Sequence, residues 1–128
     1  MSYYCGTDII EVERVKKAIL STPGFKEKVF TPLEILYADK KSDVTRFVHY
    51  AGRFAAKEAI YKSLSKIDNT VSLNQIEILN DVENKNRPIV NILKPELSKL
   101  QNEERLIIDV SISHIKDFAT ANSITTLL

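Results

Sequence analysis

A chain of 128 residues, 44% hydrophobic and 27% charged, has the balance of one soluble globular domain spanning 1–128. Eighteen basic against 17 acidic residues leave a net charge of +1, which argues against a protein that wraps nucleic acid, and no apolar run reaches the ~20 residues needed to cross a bilayer. One cysteine, Cys5, excludes an internal disulfide; with no basic-then-apolar leader at the start, the expected compartment is the reducing cytoplasm.

Residues 2–7 read as a strand, because tyrosines favour a pleated surface and Gly6 marks a close backbone approach. Asp8 follows, either as a cap or turn residue or as a carboxylate with chemistry to do. Val12, Val15 and Ile19 recur at helical spacing, predicting a helix over 12–20 that Pro23-Gly24 breaks. Thr31-Pro32-Leu33-Glu34 is a capping box with proline in the first turn. Leu33, Leu36 and Tyr37 are the expected apolar side of the helix it starts. The longest helix is predicted over 43–64. Beyond Asn69 the period falls to two, giving strands over 75–79 and 88–92 around a polar turn. A short helix over 95–102 and strands over 106–114 and 118–126 complete the chain. Helices followed by strands define an α+β fold, a long central helix packed on an antiparallel sheet. Cys5, Tyr37, Phe54 and Phe118 are read as core side chains.

Three places carry chemistry. On the long helix, Val44, Phe47, Val48, Ala51, Phe54 and Ala55 form a stripe whose next positions are Glu58 and Lys62. Those two are neighbours on one face, either a solvated pair or the lining of a cleft. Asp8 is a second carboxylate on a separate element. His114 ends the strand Val110-Ser111-Ile112-Ser113-His114, where adjacent Ser113 and His114 point to opposite faces and exclude a serine–histidine pair. Zinc spacing is absent, and so are a P-loop and a dinucleotide fingerprint. Two carboxylates from separate elements suit Mg²⁺, which keeps waters and takes substrate phosphates as further ligands. A lysine one turn beyond then neutralises phosphate charge, so Asp8, Glu58 and Lys62 cohere if the substrate is a phosphate ester. Arg14 and Lys17 share a face of the first helix, either balanced by Glu11 and Glu13 or presented to an acidic partner.

Gly6-Thr7-Asp8-Ile9-Ile10 with Arg14, Arg53-Phe54-Ala55-Ala56-Lys57-Glu58-Ala59 with Lys62, and Ser111-Ile112-Ser113-His114 closely resemble the three signature blocks of holo-(acyl-carrier-protein) synthase, a 4'-phosphopantetheinyl transferase. The likeness runs over nearly the whole chain, in order. It implies transfer of 4'-phosphopantetheine from coenzyme A to a serine of apo acyl carrier protein, with Mg²⁺, releasing adenosine 3',5'-bisphosphate, in fatty acid biosynthesis. By motif match, Asp8 and Glu58 are the metal-binding carboxylates, and Lys62 contacts the pyrophosphate. The resemblance implies that Arg53, His49 and His114 lie near the nucleotide; with an acidic carrier as the partner, the Arg14 and Lys17 patch is expected to steer its docking. The resemblance also implies a homotrimer with active sites between subunits. Here Ser65-Lys66-Ile67-Asp68-Asn69-Thr70 stands where relatives often carry a Gly-rich turn over the phosphates, and Cys5-Gly6-Thr7-Asp8 stands where they often have Gly-Ile-Gly-x-Asp. The rival readings are a Mg²⁺-dependent nuclease and a non-catalytic module that binds coenzyme A or carrier.

Overall fold

A computed structural model describes residues Met1–Leu128. The chain runs β1 (Ser2–Glu11), α1 (Val12–Ser21), α2 (Phe25–Val29), α3 (Pro32–Asp39), α4 (Asp43–Leu64), β2 (Ile76–Asp81), β3 (Arg87–Ile92), α5 (Pro95–Asn102), β4 (Leu106–His114) and β5 (Phe118–Leu127). Strands β1, β5 and β4 form a three-stranded antiparallel sheet in that order, and β2 and β3 form a separate antiparallel pair. The fold is α+β, with α4 laid across the larger sheet.

Small residues set the helix–sheet distance. Ala51, Ala55, Ala56 and Ala59 of α4 are fully buried, and they meet Gly6 of β1 and Ala119 and Ala121 of β5. The approach is closest at Gly6, where a Cβ would stand 1.8 Å from the Ala59 carbonyl oxygen. Only glycine permits β1 to lie there. Two apolar clusters flank α4. One joins Ile60 and Leu64 to Ile76, Ile92 and Leu106; the other joins Phe47 and Tyr50 to Val15, Val29 and Phe30.

Several expectations change. Strand β1 continues through Asp8 to Glu11, so Asp8 is neither a cap nor a turn residue. It pairs with Ala121, on the face turned toward α4. Cys5, Tyr3 and Ile9 alternate onto the other face, and Cys5 is exposed rather than core. Helix α2 has no counterpart among the predicted elements; its five residues are too short for periodicity to register. The capping box of α3 is present, but its buried side is Glu34 and Ala38, while Leu33, Leu36 and Tyr37 are exposed. Phe118 is exposed as well, and Phe54 is half-buried. Val44 is exposed, and from Tyr50 onward α4 is buried on most sides. Glu58 and Lys62 therefore lie on its one open margin rather than on the centre line of a stripe. Strand β2 begins one residue later than expected, after a 3-10 turn at Leu73–Gln75, and the tight turn of the hairpin places Lys85 and Asn86 at positive φ.

A buried ion pair fixes α3, α4 and β2 to one another. The Lys57 ammonium lies 2.7 Å from Glu34 Oε1, and the two side chains are 0% and 1% exposed. Lys57 also donates to the carbonyls of Leu73 and Ile76. Glu34 accepts from the Thr31 and Ile78 amides at 2.8 and 2.9 Å. Burial pulls the Lys57 pKa down, and the charges of Glu34 and Glu77 oppose that pull. With every donor and acceptor matched, this pair satisfies the condition under which charges can be buried.

Candidate active site

Strand β1 and helix α4 carry one group of side chains. Because Gly6 lets β1 touch α4 near Ala59, Asp8, two residues further along the same face, comes opposite Glu58. The two acids are close enough that the Asp8 charge, after burial, is the next cause raising the Glu58 pKa; Lys62 acts in the opposite sense. This is the behaviour of two carboxylates sharing a site. The Glu58 carboxylate has no hydrogen bond, and no ion pair forms between Glu58 and Lys62 despite their helical spacing. Instead Lys62 reaches across to β1. Its ammonium donates to the Thr7 carbonyl at 2.9 Å and lies 3.5 Å from Asp8 Oδ1. The Asp8 and Lys62 side chains are 18% and 53% exposed, so the carboxylate is recessed and the lysine covers it from the solvent side. Thr120 anchors the main chain beneath, donating its hydroxyl to the Asp8 carbonyl at 2.9 Å.

The second group lies elsewhere. His49, Arg53 and His114 line a cavity of about 350 Å³ with Lys41, Asn80 and Asn86. Arg53 is buried. One guanidinium nitrogen donates to Asn80 Oδ1 at 2.6 Å, and Nε has no partner. Burial pulls its pKa down, with Glu34 and Tyr37 opposing, but an arginine stays charged. Burial and the cations Arg53 and Lys41 push His49 down to about 3, so it is a neutral ring at physiological pH, packed 5.0 Å from the Tyr37 ring. The cavity is thus basic without a carboxylate among its lining residues, and its chemistry suits an anionic ligand.

The sheet register separates the two groups. Asp8 pairs with Ala121, and Ala121 pairs with Ile112, which lines the His49 cavity. Two strand spacings, about 10 Å, lie between those edge positions, and α4 crosses above them. One chain therefore brings Asp8, Glu58 and Lys62 together, and His49, Arg53 and His114 together, at opposite edges of one sheet. Arg14 and Lys17 are exposed on α1, and neither forms an ion pair. In place of a Gly-rich turn, the segment after α4 is held by Asp68, which takes hydrogen bonds from Thr70 and contacts the Lys94 ammonium; these bonds bring the Asp68 pKa to about 2. Sequence reasoning missed Asn80 as the partner of Arg53, the Thr7 carbonyl as an acceptor and Glu34 as the partner of Lys57. Each depends on a contact between distant segments; a lone lysine among alanines in a buried helix was the one available sign of the last.

A description of the 4'-phosphopantetheinyl transferase superfamily matches residues 4–121, and the chain belongs to that superfamily. Its relatives narrow the class. The holo-[acyl-carrier-protein] synthase of Fusobacterium nucleatum is 41% identical over 121 residues, covering 93% of this chain and 94% of its own. That of Clostridium botulinum is 41% identical over 123 residues, covering 96% of each. Among solved structures, the Chronobacterium ammoniagenes ACPS–CoA complex superposes with a TM-score of 0.80 at 30% identity, over 100% of this chain and 99% of that one. The Bacillus anthracis holo-(acyl-carrier-protein) synthase in complex with CoA (3',5'-ADP) gives 0.77 at 31% identity, over 98% and 96%. Within the superfamily this chain is a member of the holo-(acyl-carrier-protein) synthase family, and it is a transferase. The α+β class expected from sequence stands, and the nuclease and non-catalytic readings fall away. No helix is long and apolar enough to cross a membrane.

Proposed function

We propose that Asp8, Glu58 and Lys62 form the reacting end of a site that moves 4'-phosphopantetheine from coenzyme A to a serine of apo acyl carrier protein, the reaction of the family to which the chain belongs. The observation that carries the assignment is the convergence of two acids on one small gap with no donor between them but Lys62. An all-oxygen donor set with two carboxylates, and no third acid or histidine to complete a protein cage, fits Mg²⁺ that completes its shell with water and substrate phosphate. Asp8 and Glu58 would hold that ion, and when bound it supplies charge to offset the leaving bisphosphate. Lys62 presents an ammonium to the diphosphate. Arg53, His49 and His114 receive the nucleotide, with Arg53 supplying a fixed charge and His49 a neutral face. Arg14 and Lys17 offer unpaired cations to an acidic carrier, which raises the encounter rate and sets orientation.

The separation of the two groups supports a further part of the reading. A ligand that needs both edges of the sheet, with α4 lying between them, would meet both where one copy abuts the next, head to tail. Three copies closing in a ring would use each edge once. The outward face of the large sheet, with Tyr3, Ile9, Ile107 and Ile124 exposed, supplies apolar surface for such contact. The whole chain then acts as one domain, in the cytoplasm, where the exposed thiol of Cys5 stays reduced.

Mass spectrometry of apo carrier protein incubated with coenzyme A, Mg²⁺ and this protein tests the reaction. A phosphopantetheine mass gain is expected, and an unchanged carrier would overturn the assignment. Light scattering tests the ring. Mixing inactive Glu58→Gln with inactive Arg53→Ala should restore part of the activity, because mixed rings rebuild intact junctions. A monomeric mass, or no rescue, would count against shared sites.

A further inference from the structure

We infer that Lys62 is a resident cation that holds Asp8 until the diphosphate arrives, so that the free protein keeps its divalent metal weak and admits metal and substrate together. The inference rests on the metal reading above and goes beyond the contact of Lys62 with pyrophosphate.

Three observations carry it. Lys62 bypasses Glu58, its neighbour on the helix, and crosses to β1. It is anchored there at two points, the Asp8 carboxylate and the Thr7 carbonyl at 2.9 Å. The neighbouring Glu58 carboxylate is left without a donor, so the gap carries one more negative charge than its lysine neutralises. A divalent ion entering the gap must approach a carboxylate oxygen to about 2.1 Å, while an ammonium sits 3.5 Å from Asp8 Oδ1. The two cations repel, and the ammonium has to swing away for the ion to bind well. Its half-exposed position and flexible stem make that swing a side-chain movement only. A diphosphate offers Lys62 charged oxygens in exchange for Asp8 and a neutral carbonyl, so the substrate itself releases the position. The latch is weak by construction, since its ammonium is half exposed and stands 3.5 Å from the carboxylate.

Manganese titrations of the full-length protein without coenzyme A, read by electron paramagnetic resonance of the unbound ion, test this without recourse to activity. Lys62→Gln should bind Mn²⁺ on the order of fivefold more tightly than the unsubstituted protein. Lys66→Gln removes the same charge from the turn that follows α4, at a residue with no ion pair to Asp8, and should change the affinity by less than about twofold. Asp8→Asn should abolish binding. If Lys62→Gln binds no more tightly, or if Lys66→Gln has an equal effect, the latch is wrong while the metal reading stands. If Asp8→Asn leaves Mn²⁺ binding unchanged, the ion is not held there and both fall. Matching melting curves for the two lysine variants exclude a disturbed fold.

Discussion

Lys57 and Glu58 are consecutive on α4 and face in different directions, into two differently made environments. Lys57 turns into a dry interior where Glu34 and two carbonyls meet all of its donors. Glu58 turns to the open margin, where another acid faces it and nothing donates to it. In the first region the chain provides the complement of each charge it buries. In the second it withholds one, and the deficit sets the kind of ligand that relieves it. A matched buried pair thus marks architecture, and a mismatched recessed one marks chemistry.

The largest effect is expected where the mismatch is removed. Glu58→Gln should lower the rate of carrier modification by about a thousandfold, the scale of losing several kcal/mol of charge stabilisation. The same variant should melt at a higher temperature at pH 7 without metal. The sign follows from linkage: the Glu58 pKa is raised on folding, so its contribution to stability is present at low pH and lost as pH rises through that pKa, and an uncharged amide avoids the loss. A variant that stays active or melts lower would erase the contrast. Lys57→Met should do the reverse, costing about 3–5 kcal/mol in urea unfolding because Glu34 is left charged and buried. Adding Glu34→Gln should recover part of it, since the buried charge is gone while the amide oxygen still accepts from the main chain of α3 or β2. Gly6→Ala should cost about 3 kcal/mol, at the upper end of overpacking effects, since the added carbon meets main chain and no flexible side chain can yield. Activity should drop with it, because β1 carries Asp8. Arg14→Glu should raise the KM for carrier about tenfold and leave that for coenzyme A within about twofold, as expected for a steering charge away from the reacting groups. The smallest effect at neutral pH concerns His49, whose pKa is lowered on folding from 6.5 to about 3. The unfolded chain binds that proton first, so stability falls as pH drops from 6.5 toward 3. His49→Gln should flatten that limb of a stability–pH curve.

Most of the architecture was legible because it follows from local rules. The bounds of α4 and α5 and the extent of β4 came from periodicity, caps and prolines, which act within a few residues. Of the candidate site, the residue types were legible and their relations were not. The motif residues Asp8, Glu58 and Lys62 do converge; of the two readings open for the helix pair, the solvated Glu58–Lys62 contact does not form, and the lysine is found on Asp8. The α3 face was misread for the same reason. Its leucines suggested the inward side, while Glu34 goes in because a lysine from another helix awaits it. Pattern assigns a charge to the surface by default; only the third dimension supplies its partner.

Gly6 also sets the reach that Asp8 and Glu58 need. Where β1 and α4 meet main chain to main chain, the two backbones that carry those carboxylates stand at a fixed separation, and only the side-chain torsions remain to adjust the opening between them. Under the metal reading proposed above, a residue that touches no ligand would thereby fix how far each acid has to extend.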